Sequence, residues 1–439
     1  MMKTPESLPL HLMLAMMQSP AWSGASMPWS ASLPNYMEAL FPWLPKPKSP
    51  LEQASDATLN LWQSASEQWL NALNPQPAKS PEPQNASPVC FAEFFDPEFL
   101  TELGTQAYHQ STGFFQGMQA YLTSDYQRPD KTYNILWERG SAQLLDLAPK
   151  KKDAVAVLCI PSLINKPTIL DLYPEASFTE YLKSQGLRPL ILDWGTPGKD
   201  ELEFSTADYI SVYAMAALQT LREQHDGPIV LLGYCMGGIF TIAMAQLAPM
   251  FVDGLILFAT PWDFSAEDTP RVLLDNSTQM MLSQWIATQN PVAPMVTQSV
   301  FHLIDPWHVQ EKYSRYPTLS AAEKTHFLAV EEWVNDGVPL TANVAQECFV
   351  DWPQGNILAE HQWKIGRKWI EPQSIKAPTL AVIPTRDRIV PVGCALPLAK
   401  ELPRCTILKP DTGHVAMVVG SRAKALVWEP VCDWINKKF

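Results

Sequence analysis

Nowhere does the chain hold the roughly 18 consecutive apolar residues that a membrane-spanning helix needs. Its start, Met1-Met2-Lys3-Thr4-Pro5-Glu6, sets a proline and an acid ahead of a broken apolar stretch from His11 to Met17. It therefore reads as uncleaved rather than as a signal peptide. Cysteine pairs are missing too: the 7 cysteines include no CxxC and no Cys/His ligand spacing, which speaks against a disulfide framework and a zinc site. Reduced thiols in a cytoplasm are the plain expectation. There is no basic stripe either. Against 45 Asp and Glu stand 32 Lys and Arg, for a net charge of -13, so nucleic acid is not an expected partner. A negative chain can still take an anionic substrate in a local basic pocket.

What is present is ample apolar material, 46% of 439 residues, enough for one large domain with an insertion or for two domains. Residues 1–88 are dense in proline, which prevents long regular elements. Yet they carry Trp22, Trp29 and Trp43, and one helix is plausible from Leu51 to Leu73. This arm reads either as a segment laid over the rest of the protein or as an attachment arm. Residues 89–150 form a helical and hairpin region, with a helical pattern from Phe91 to Leu122 and two short strands between Tyr133 and Leu147.

From residue 151 to 439 the pattern is a catalytic domain of alternating strands and helices. Strands are expected at Val155–Ile160, Pro189–Trp194, Ile229–Gly233 and Leu255–Ala259, with helices near Ser177–Gln185, Ala207–Glu223 and Ile239–Leu247. Such alternation gives a mainly parallel sheet with helices on both faces. It stops from about 264 to 375, a mostly helical stretch rich in Trp, Met and Pro, placed where a lid would lie. It resumes with the strand Thr379–Ile383, a helix at Gly393–Glu401, the strand Thr406–Leu408 and a closing helix, Ala423–Asn436. The fold class read from this alternation is α/β with a mostly helical lid insertion, and the strand-to-helix motif that follows makes its expected form an α/β-hydrolase fold.

The segment Gly233-Tyr234-Cys235-Met236-Gly237-Gly238 joins a strand to a helix and matches a nucleophile elbow, with cysteine in the usual place of serine. The strained turn needs small residues two before and two after the nucleophile. It aims the N–H of Met236 at a developing oxyanion, at the positive end of the helix. Cys159, by contrast, fits a small buried hydrophobe. The fold orders nucleophile, acid, histidine along the chain. His414, in a loop beyond the last strand, is the candidate base. Asp387, after the strand at 379–383, is preferred as the acid over Asp411, which reads as a turn residue. His302, His308, His326 and His361 fall in the insertion as surface or lid residues. The second oxyanion donor is expected from the loop Pro161-Ser162-Leu163-Ile164-Asn165-Lys166, as the backbone N–H of Leu163 or Ile164, while Asn165 and Lys166 can serve the loop's own hydrogen bonds.

That loop, together with Ile169-Leu170-Asp171-Leu172, Leu192-Asp193-Trp194-Gly195, the cysteine elbow, Asp387-Arg388-Ile389-Val390-Pro391 and Gly413-His414-Val415, resembles the polyhydroxyalkanoate synthases. The resemblance runs from about Asn134 to the C-terminus, broken by a divergent insertion. It is nearest the class whose short catalytic subunit works with a second protein. It implies Cys235 as acyl acceptor, His414 as its base and Asp387 as orienting acid. The implied substrate is a 3-hydroxyacyl-CoA, with release of CoA and no separate cofactor or metal. The implied partners are a second synthase subunit or another copy of the chain, and a polyester granule surface. Two departures stand out: Arg388, where the family often has histidine, and the long proline-rich arm. A thiolate exchanging with a CoA thioester changes bond energy little, and a hydroxyl then forms a more stable oxoester. A lid excluding water favours that hydroxyl over hydrolysis. The alternatives are a cysteine-nucleophile α/β hydrolase (thioesterase, polyester depolymerase or dienelactone-hydrolase-like) and a non-enzymatic granule-associated relative.

Overall fold

The computed structural model describes residues 113–439. The arm at 1–88, its expected helix at Leu51–Leu73 and the start of the expected Phe91–Leu122 helix lie outside the described residues. The described chain opens with a helix, α1, over 113–122.

Two strands follow, β1 (Asn134–Arg139) and β2 (Ala142–Asp146), paired antiparallel around Gly140 at φ 56°. Then come β3 (Ala156–Ile160), α2 (Phe178–Ser184), capped by Ser177 through its bond from Glu180 N–H, and β4 (Arg188–Asp193). Helix α3 runs from Thr206 to Glu223 and carries a π-helical stretch at Tyr209–Ala214. Strand β5 (Ile229–Tyr234), helix α4 (Met236–Leu247) and strand β6 (Gly254–Phe258) complete the first half of the domain. Helix α4 starts three residues before the expected Ile239, directly after Cys235, with Gly237 and Gly238 in its first turn lying close against Ile160 and Thr260.

The insertion holds α5 (Asn276–Ala287), α6 (Pro294–Ile304), α7 (Pro306–Arg315), α8 (Ala321–Asn335) and α9 (Ala342–Gly355). It ends in a small hairpin of β7 (Lys364–Ile365) and β8 (Lys368–Trp369), too short to leave a sequence signal. The sheet resumes with β9 (Thr379–Val382), α10 (Val392–Glu401) and β10 (Cys405–Leu408). The chain closes on α11 (Ala416–Val419) and α12 (Glu429–Lys438).

The eight-stranded sheet has the order β1-β2-β4-β3-β5-β6-β9-β10, antiparallel at β1–β2 and β2–β4 and parallel from there on. Its central strands are apolar at every position because both faces are covered. In β3, Ala156, Leu158 and Ile160 face one core with α3, α4 and the insertion. Val157 and Cys159 face the other, with α2 and α12. Successive side chains of a strand point to opposite faces, so one run feeds two cores. Cys159 is fully buried, and burial pushes its thiol up to about 12, as expected of a structural cysteine. At the antiparallel flank, Arg188 of β4 pairs with Asp146 of β2 at 2.7 Å, both fully buried. The parallel strands all end on one edge, and that edge carries the loops holding Cys235, Asp387 and His414.

Candidate active site

Strand β5 ends at Tyr234 and α4 begins at Met236, leaving Cys235 alone between them. At φ 55° and ψ -124° it occupies backbone space that residues with side chains rarely adopt. Its N–H donates to Phe258 O at 2.8 Å, and its carbonyl accepts from Gly238 N–H at 2.9 Å. A Cβ at Gly233 would overlap the Gly238 backbone, and one at Gly237 would run into the Ile160 carbonyl. The turn can pass this close to β3 and α4 only without those side chains. Met236 opens α4, so its N–H belongs to a first turn that has no intrahelical acceptor and lies at the positive helix end.

Asp387 stands on the loop after β9. Its Oδ1 accepts the N–H groups of Ile389 and Val390 at 2.9 and 2.8 Å, which fixes the carboxylate plane. Its Oδ2 accepts from His414 Nδ1 at 2.6 Å, with side chains 0% and 9% exposed. Nδ1 being so used, the other ring nitrogen is the one available to Cys235, whose sulfur acts on the imidazole. The imidazole also stacks on Tyr234, with ring centroids 5.3 Å apart and planes at 29°. Burial pulls the imidazole down, but the Asp387 carboxylate and the Cys235 sulfur outweigh it and hold His414 up at about 10. Asp411 is 64% exposed and paired with Arg386 at 2.9 Å and Arg422 at 3.7 Å. The structure therefore brings Cys235, His414 and Asp387 together and leaves Asp411 outside the series.

Ile164 departs from expectation. Its N–H donates to Ser162 Oγ at 3.2 Å, a local side-chain turn that engages this amide within the loop. Of the two amides considered, the Leu163 N–H is the one left without this restraint. Asn165 and Lys166 do not serve the loop either. They bond to Trp333, Val334 and Asp336 of the insertion, which the sequence places far away. Among the insertion histidines, His302 is buried at 4% exposure rather than superficial. Arg388 points out of the acid loop to Asp305, between α6 and α7, at 3.0 and 3.1 Å. Sequence reasoning missed Cys348 of α9, whose Sγ lies 3.9 Å from Met236 Sδ. Burial, then Glu347 and the Cys235 sulfur, push this thiol well above its ordinary value. No spacing motif could have revealed that contact.

A sheet of this order, with a strained cysteine elbow and a buried acid–histidine pair on the loops after later strands, is the framework of a nucleophilic α/β enzyme. The chain belongs to the alpha/beta hydrolase fold family, whose model matches residues 155–421. It is 26% identical over 331 residues to a poly(3-hydroxyalkanoate) polymerase subunit of Haloferax mediterranei, a match covering 70% of this chain and 64% of that one. It is 24% identical to the polymerase subunit of Synechocystis over 65% of this chain and 78% of the relative. The corresponding subunit of Allochromatium vinosum is 25% identical over 65% of this chain and 81% of the relative. The chain thus spans just under two thirds of the Haloferax relative's length and about four fifths of the two others. The resemblance to polyhydroxyalkanoate synthases read from the motifs is borne out by these relatives. No helix among the described residues is long and apolar enough to cross a membrane.

Proposed function

We propose that this chain is an acyltransferase that loads a 3-hydroxyacyl group from coenzyme A onto Cys235 and passes it to a hydroxyl, lengthening a polyester. The observation that carries this reading is the buried Asp387–His414 hydrogen bond, with the elbow's Cys235 acting on the same imidazole. Its similarity to polymerase subunits in three organisms supports the choice of substrate.

In the first half-reaction the Cys235 sulfur attacks the thioester carbonyl. The oxyanion is met by the Met236 N–H and, from the loop, the Leu163 N–H. Collapse expels the CoA sulfur, which takes the proton of His414, leaving an acyl-cysteine. In the second, the hydroxyl of an incoming hydroxyacyl chain gives its proton to His414 and attacks the acyl-cysteine. An oxoester forms and the Cys235 sulfur leaves, ready for the next cycle. Asp387 fixes the ring tautomer and stabilises the imidazolium throughout. The insertion acts as the lid that keeps water from the acyl-cysteine. A second synthase subunit or a second copy of the chain, and a granule surface, are the partners in this reading.

Incubation with 3-hydroxybutyryl-CoA tests it. CoA release accompanied by polymer supports transfer; CoA release accompanied only by free 3-hydroxybutyrate would make the chain a thioesterase. No CoA release under conditions where the protein is folded would reject both.

A further inference from the structure

The loop carrying the second oxyanion amide is built from two parts of the molecule. At its first residue it is tied to the sheet layer: Trp194 Nε1 donates to Pro161 O at 3.1 Å. After Leu163 the loop's carbonyls and side chains are tied to the insertion instead. Ile164 O accepts from Val338 N–H at 3.0 Å, and Asn165 forms an antiparallel bridge with Gly337. Lys166 O accepts from the indole Nε1 of Trp333 at 2.8 Å. The Asn165 amide reaches the carbonyls of Trp333 and Val334 at 3.5 Å each, and Lys166 pairs with Asp336 at 2.7 Å. The residues involved, 333–338, are the last turn of α8 and the segment leaving it. That turn is held from its far side too, since the Asn335 amide donates to the Tyr121 hydroxyl of α1 at 2.9 Å.

An oxyanion donor works only within a few tenths of an ångström of its place, and a displacement of about 1 Å in such a site costs on the order of a hundredfold. A loop with no regular structure of its own takes its position from whatever bonds it. The hydrogen bonds that reach Ile164, Asn165 and Lys166 from outside the loop come from the insertion, while Leu163 and Ile164 also pack in the core that sheet and insertion share. We infer that Trp333 is a positioning residue for the reaction: its indole N–H, with Asn165 as the matching side chain on the loop, sets the oxyanion amide against Cys235. The oxyanion site is then shared between sheet and lid, and it is complete only when α8 is seated. This rests on the functional reading above insofar as Cys235 is the acyl acceptor.

The two chemistries available at one sulfur separate positioning from general damage. Iodoacetamide alkylates the sulfur by displacement at saturated carbon: an S–C bond forms, the C–I bond breaks, iodide leaves and no oxyanion develops. With p-nitrophenyl acetate the sulfur adds to a carbonyl, an oxyanion develops, and p-nitrophenolate leaves as the acetyl-cysteine forms. Trp333→Phe keeps an aromatic ring against the apolar neighbours and removes the N–H together with part of the indole. Asn165→Ala gives a second variant should the first fail to fold. The expected result is a ten- to hundredfold slower acetylation of Cys235 in each variant, with alkylation of Cys235 within about twofold of the parent chain. Equal rates for both reagents in variant and parent would overturn the inference. A parallel fall in both would overturn it too, since it would mark Trp333 as a structural residue only. If the parent chain is acetylated by the ester yet releases no CoA from 3-hydroxybutyryl-CoA, the functional reading fails while the positioning test still reads.

Discussion

Asp387 and His414, 27 residues apart in sequence, meet at 2.6 Å because they leave the adjacent parallel strands β9 and β10 at the same edge of the sheet. Asp411, three residues from His414, reaches instead for two arginines at the surface. Asp387→Asn should therefore cost acyl transfer at least about a thousandfold, as loss of the tautomer-fixing carboxylate does. Asp411→Asn should change it less than about threefold. Steady-state CoA release by both variants checks the order, and the reverse order would move the acid to the other loop.

The same contact makes a stability prediction. A free histidine titrates near 6.5, whereas the Asp387 carboxylate and the Cys235 sulfur hold folded His414 at about 10, against the pull of burial. A raised folded value means that the protonated ring stabilises the fold. That contribution is complete below about pH 6.5 and fades as pH rises through about 10. Between pH 7 and pH 10.5 the urea midpoint of the parent chain should fall more than that of His414→Gln, which has no ring proton to lose. Parallel curves would contradict the assignment.

The elbow stores backbone strain at Cys235, where φ is 55°. Cys235→Ala keeps a Cβ in that conformation and Cys235→Gly does not. The glycine variant should be the more stable of the two by about 1 kcal/mol, despite glycine's greater freedom when unfolded. Both should lose acyl transfer. Urea unfolding of the pair measures the difference, and an alanine variant as stable as the glycine one would argue against strain.

The arm and the helix after it should separate. Every candidate site residue lies beyond Ile160, so a chain starting near Ser87 should still accept an acyl group. Removal through α1 should fail, because Phe114, Met118 and Tyr121 of α1 pack against Val309 and Tyr313 of the insertion. Acyl-enzyme formation by the two truncations checks this, and loss of acylation on removing residues 1–86 alone would assign the arm to the site.

The alternating sheet was legible because central parallel strands, buried on both faces, read as continuous apolar runs such as Ile229–Gly233. Cys235, Asp387 and His414 were legible because an elbow motif and a chain order constrain them. The rest was not. The partner of Lys166 O lies 167 residues away on α8, and no local pattern announces such a contact. The direction of the Ile164 amide depends on the hydroxyl of Ser162, a rotamer choice invisible in sequence. Cys348 reaches Met236 only through the packing of α9, whose helical period says nothing of what it covers.

The central claim is that Cys235 carries the acyl group between coenzyme A and hydroxyl. Mass spectrometry of the peptide holding Cys235, after rapid mixing with 3-hydroxybutyryl-CoA and acid quench, tests it most directly. The account predicts one or more 3-hydroxybutyryl units on that peptide, and neither adduct nor CoA release from Cys235→Ala. CoA release from Cys235→Ala at the parent rate, or an adduct on another residue, would contradict it.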